Sequence, residues 1–97
     1  MAQSIFEVQL VNSTAIRLIG FSENTLRIIF RSGSAYDYSG VTREVFEKLA
    51  IAESVGTQFQ IIRNAYPFSR LENSRVQNFL MAVLEASQCD RLMVAEA

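Results

Sequence analysis

The chain of 97 residues contains no histidine and a single cysteine, Cys89. Without histidine, nucleophilic triads that rely on an imidazole base are excluded, and so are most metal sites. A lone thiol can neither close an internal disulfide nor build a zinc centre, and it fits a reducing compartment. Charge of one sign is also scarce. Ten acidic residues against nine basic ones leave a net charge of −1 and a pI near 5.3, well short of the basic balance of a dedicated duplex-DNA binder. No run reaches the ~18 apolar residues of a membrane span, and the amino-terminal stretch lacks the basic segment and long apolar run of an export signal. P-loop and Gly-x-Gly-x-x-Gly strings are missing too. Carboxylates remain as acid–base groups, but Glu44 and Glu47 stand beside Arg43 and Lys48 and read as a solvated helix face. The expectation is a cytoplasmic, non-enzymatic protein with no catalytic residues, metal or cofactor.

What is present is apolar content, at 49%, which suits one globular domain. A chain of this length buries only about 60–65% of the surface it exposes when unfolded, so its core is modest. Eight of the nine basic residues are Arg, Lys48 being the sole lysine. Arginine favours planar, bidentate recognition of phosphate or carboxylate, although it serves ion pairs equally well.

Alternation of apolar and polar residues predicts strands over residues 5–10, from Ala15 to Phe21, from Thr25 to Arg31 and around Tyr36-Asp37-Tyr38. Ser22-Glu23-Asn24 and Ser32-Gly33-Ser34 are the turns, giving an antiparallel meander of three or four strands. Ile16, Leu18, Leu26, Ile28 and Phe30 form its apolar face. Thr42 is placed to cap a helix over 42–53 with Val45, Leu49 and Ala52 on one stripe. Ser54-Val55-Gly56 breaks that helix. Thr57 caps a second over 57–66, with Phe59, Ile62 and Tyr66 on a shared face and Pro67 as its stop. Ser74-Arg75-Val76-Gln77 reads as a capping box for an amphipathic helix over 73–88, within a helical extension of 73–95. The fold class is therefore α+β, a small meander packed by two short helices plus a carboxy-terminal helix, all in a single domain of residues 1–97.

Residues 15–66 resemble the KTSC domain, found at the carboxy terminus of some lysyl-tRNA synthetases and as stand-alone bacterial and phage-type proteins. The resemblance is carried by "TLRIIF", by Gly33 ahead of "YDY", by "SGV" leading into a helix, by Ala52, Ser54 and Gly56, and by "QFQIIRNAY". Thr42 stands where the family often has Pro, and Gln60 where Asn is usual. The resemblance implies the small α+β fold of residues 5–70 and a suspected RNA-binding role.

The constellation with most chemical content joins aromatic rings to arginines. Arg17, Arg27 and Arg31 are expected on one sheet face, with Arg63 and Gln60 on the second helix. Arginine forks grip phosphate oxygens, and aromatic faces stack on bases at ~1–3 kcal/mol each. Whether Tyr36 and Tyr38 join this face depends on the turn. A two-residue loop sets Ile29 opposite Tyr36 and Arg27 opposite Tyr38; a three-residue loop sets Phe30 opposite Tyr36 and Ile28 opposite Tyr38, moving both rings to the core. Two functions follow. One is a non-catalytic module that binds RNA or a small or cyclic nucleotide, including sequestration of a nucleotide signal as a phage-encoded sponge would do. The other is a protein-interaction or assembly domain acting through the carboxy-terminal helix, whose Phe79, Leu80, Val83 and Leu84 would lie between subunits of a homo-oligomer.

Overall fold

The computed structural model describes residues 4–86 and 91–96. Strands β1 (Ser4–Leu10), β2 (Ile16–Ser22), β3 (Thr25–Phe30) and β4 (Ala35–Ser39) form the expected meander, followed by helices α1 (Arg43–Ala50) and α2 (Val55–Ala65). Strand β5 (Phe68–Arg70), helix α3 (Asn73–Ala86) and strand β6 (Arg91–Glu96) complete the chain. Neither β5 nor β6 was foreseen, and the 73–95 extension is corrected to a helix followed by a strand; residues 87 and 88 of the expected helix lie outside the described residues. All neighbours pair antiparallel in one six-stranded sheet of order β5-β4-β3-β2-β1-β6.

Glu23 and Asn24, with φ of 47° and 64°, join β2 to β3. Positive φ at both central residues is the geometry of a two-residue hairpin whose twist matches its strands. Between β3 and β4 the loop has three residues. The Phe30 amide donates to the Ser34 carbonyl at 2.9 Å, and Gly33, at φ 100°, supplies the left-handed residue that closes it. The resulting register pairs Ile28 with Tyr36 and Leu26 with Tyr38. Both rings take the core face expected of a three-residue loop, but each lies opposite a residue two positions earlier than anticipated.

A further correction concerns Leu18. The β2–β3 register shifts between Ile16, opposite Phe30, and Leu18, opposite Ile29. This bulge at Arg17 inserts one residue, so side chains beyond it change faces. Ile16, Ile19 and Phe21 join Leu26, Ile28 and Tyr38 under α1 and α2, while Leu18 turns to the opposite side.

The helices begin where polar side chains accept orphan amides. Thr42 caps α1 by accepting from the Val45 amide, and Ser54 caps α2 by accepting from the Thr57 amide. The expected Thr57 cap is thus three residues late, and Val55 and Gly56 form the first turn of α2 rather than a break. Phe46 and Leu49 of α1 and Val55, Phe59 and Ile62 of α2 close the first core, where the Phe21 and Phe46 rings stack 5.2 Å apart.

The second core fills the other face. Phe6, Val8, Leu18, Ile29, Leu92 and Val94 are covered by Leu71 and by Val76, Phe79 and Val83 of α3. Phe79 and Val83, expected between subunits, are therefore buried within the chain. Leu80 is half-buried, and Leu84 alone of that set projects into solvent. Ser74 lies inside the first turn of α3 rather than at its cap.

Candidate functional site: an aromatic cleft at the rim of the sheet

The chain leaves α2 through Pro67 and returns along β4, pairing Phe68 with Tyr38 and Arg70 with Tyr36. This return brings a third ring to the two tyrosines. Tyr36 meets Phe68 edge-on with centroids 5.7 Å apart, and Tyr38 lies 5.6 Å from Phe68. Phe59 of α2 stands 5.4 Å from Tyr38 and 5.8 Å from Phe30, which in turn meets Tyr36 at 6.0 Å. Edge-to-face contacts at these separations are the favoured aromatic geometry and hold the rings in fixed orientations.

These five rings line a cleft of about 370 Å³ whose remaining wall is Arg63 and Asn64. Small-ligand sites run from about 300 to 1,000 Å³, so one planar ring system with a short polar arm is the appropriate size. Burial grades across the site. Tyr38 is buried, Tyr36 half-buried and Phe68 59% exposed, so the outermost ring offers an open face. Burial pushes the Tyr38 hydroxyl above its ordinary range, with the nearby Arg63 charge opposing and Tyr36 adding to the rise. Tyr38 is therefore a neutral phenol at physiological pH, able to donate.

Arg63 is exposed and, among the described residues, has no ion pair. Asn64 beside it donates from Nδ2 to the Gln60 carbonyl at 3.0 Å. Gln60 itself lies one turn earlier and borders a different, shallower hollow between residues 12–15 and the first turn of α2. Arg31 reaches that region, its Nε donating to the Ser13 carbonyl at 2.6 Å. Arg17 is exposed at the bulge and borders neither hollow.

The expected shared face of Arg17, Arg27 and Arg31 does not exist. The bulge displaces Arg17, Arg31 falls in the loop beyond β3, and Arg27 is 1% exposed beneath α3. Its guanidinium donates to both carboxylate oxygens of Asp37 at 2.8 and 2.9 Å and to both of Glu96 at 2.8 and 2.9 Å. Four of its five N–H donors are engaged inside the protein and the side chain is buried, which removes Arg27 from the ligand-binding candidates. Tyr36, Tyr38 and Arg63 are brought together; Gln60 borders the other hollow, to which Arg31 is joined only through its bond to Ser13. Phe68 and Asn64 were missed. Asn64 lies four residues after Gln60 on the same helix face, a spacing that could have drawn attention to it.

No curated protein matches the chain. A family model, that of the KTSC domain, matches residues 12–66, more than half of the sequence. The matched stretch runs from the loop before β2 to the end of α2 and contains four of the five cleft rings together with Arg63. The chain belongs to the KTSC domain family.

Proposed function

We propose that the protein is a non-catalytic binding module for a nucleotide-type ligand, with the aromatic cleft as its site. The observation that supports this reading is Arg63, without an ion pair among the described residues, at the rim of five fixed rings, the outermost of which is open to solvent. A base would stack on Phe68 and Tyr36, contributing about 1–3 kcal/mol per ring face. The Arg63 fork would take a phosphate oxygen pair, a stronger and more directional contact than a neutral hydrogen bond. Tyr38 and Asn64 supply polar atoms that can select among base edges or a ribose. Nothing in this set cleaves or transfers a group, so the ligand is held and released unchanged, as in RNA binding or in the sequestration of a small or cyclic nucleotide signal.

The test is a titration of the purified chain with single-stranded RNA and a panel of mono-, di- and cyclic nucleotides at two salt concentrations. Saturable binding is expected, weakened at least about tenfold in Arg63→Ala by loss of a charge-assisted contact and in Phe68→Ala by loss of a stacking face. Both residues are exposed, so far-ultraviolet circular dichroism should not change. An absence of saturable binding at about 100 µM protein, where even weak sites of about −5 kcal/mol show occupancy, would defeat the proposal. That result would favour the interaction-module reading, for which the exposed Met81 and Leu84 of α3 are the relevant observation.

A further inference from the structure

The sheet ends in two edges of different character. At one, β5 has three residues, follows Pro67 and carries Arg70, features that limit pairing with another chain. At the other, β6 runs for six residues without Pro or Gly, and among the described residues no strand lies on its outer side. Its central residues, Leu92 to Ala95, carry no charge. Its charges, Arg91 and Glu96, stand only at the two ends, no bulge interrupts its pairing with β1, and no lysine occurs in the strand.

Large apolar side chains are exposed on both surfaces beside this edge. On the α1 side, Met93 is 61% exposed opposite Glu7, which pairs with Arg43, and Ile5 lines the same hollow. On the opposite side α3 covers β6, and it presents Leu84, 65% exposed, and Met81 to solvent. A free row of backbone donors and acceptors, without charge at its centre and with an exposed apolar side chain on each face, matches one kind of occupant, another strand of the same character. We infer that β6 pairs antiparallel with β6 of a second copy of this chain, joining two sheets into one of twelve strands about a two-fold axis.

The register follows from side-chain parity. In a continuous antiparallel sheet, opposed residues share a face, so the axis passes through a single residue of β6. Centred on Met93, the pairing sets Met93 against Met93 and Leu92 against Val94. Centred on Val94, it sets the Glu96 carboxylate, held by Arg27 and Arg75, against the apolar Leu92 instead of matching apolar residues with each other. The first register is therefore the one formed. It buries Met93 on one side and brings the two α3 helices together on the other. A net charge of −1 per chain opposes the approach only weakly. Five paired residues a strand and a few flanking side chains are fewer than the 20–30 residues a side of a standard interface, so the dimer is expected to be weak and concentration-dependent.

Sedimentation of the intact chain over a concentration series, from about 1 to 100 µM, should show the mass rising from one chain to two, as a dissociation constant in the micromolar range requires. Met93→Lys places two like charges at the axis and should leave only monomer, with unchanged circular dichroism and melting temperature because the position is exposed. Met93→Cys in a Cys89→Ser background should form an intermolecular disulfide under mild oxidation, since opposed strand residues lie within bridging distance. A wild-type chain that stays monomeric throughout overturns the inference. So does a dimer that survives Met93→Lys, or one that resists cross-linking at position 93, and a dimer abolished by Leu84→Glu but not by Met93→Lys would place the seam on α3 alone.

Discussion

Arg27 packs its guanidinium 4.3 Å from the Phe6 ring centroid and 4.7 Å from that of Phe79 while donating to Asp37 and Glu96. Desolvating a cation is costly, and only the combined carboxylates and ring faces offset it here. Removing one partner therefore matters more than removing the cation. Asp37→Ala should destabilise by about 3–5 kcal/mol in urea denaturation, because it strands a buried charge. Arg27→Met should cost less, since Asp37 and Glu96 keep 17% and 16% of their side-chain surface and can rehydrate. The acid limb of stability belongs to the same cluster. Burial alone would raise the Glu96 carboxyl, but hydrogen bonds and charge from Arg27 and Arg75 outweigh it and hold the group below its ordinary value of 4.5. The unfolded chain thus takes up the proton first as pH falls, so the Glu96 contribution is complete above that value and is lost below it. Glu96→Gln should flatten the fall in melting temperature on the acid side of pH 4.5. In the sequence, Arg27 and Arg31 flanking Ile29 suggested a wet back face. Ile29 alone hinted at a second core, and the pairing of Arg27 with Asp37 was hidden because the anticipated three-residue loop set Ile29 opposite Asp37, two positions away from the register found.

Helix α3 converts a meander with one covered face into a sheet covered on both. Its inward stripe of Val76, Phe79 and Val83 is continuous with Phe6, Leu18 and Val94, whereas Leu84 meets water. The two outermost members of the expected interface set should therefore behave oppositely. Phe79→Ala should cost about 3–5 kcal/mol by leaving a cavity against Phe6 and Arg27, while Leu84→Glu should change the monomer's stability by no more than about 0.5 kcal/mol. Thermal or urea unfolding of both variants at low protein concentration separates these cases. The existence of α3 was legible because its apolar spacing is sustained over four turns. Its covering partner was less so. With a bulge at Arg17 that no glycine announces, Leu18 appeared to belong with Ile16, and the demand for a cover on the far face was concealed. Strand β5, at three residues, is too short for alternation to register, so Phe68 and with it one wall of the cleft escaped notice.

The molecule as a whole carries little net charge, and this bears on how it meets a ligand. With Arg63 the one cation of the cleft, nucleotide affinity should fall with salt at a log–log slope of about −0.7, the value for one neutralised phosphate on a single strand. A slope near −3 in the same titration would indicate a basic track elsewhere on the surface. The α+β class and the approximate positions of four strands and three helices were readable from periodicity, with Thr42 as the one cap correctly placed. The sheet's closing strand was not, because pairing between segments far apart in the chain leaves no local pattern. That pairing sets Ser4 opposite Glu96 and places β1 between β2 and β6. Folding must therefore wait on an encounter between segments some ninety positions apart, which is slow by loop-closure entropy. A circular permutant that links Glu96 of β6 to Ser4 of β1 through a short glycine-rich turn and opens the chain at Ser32-Gly33 makes that encounter local. In stopped-flow refolding it should fold faster than the native order of segments while retaining the same sheet.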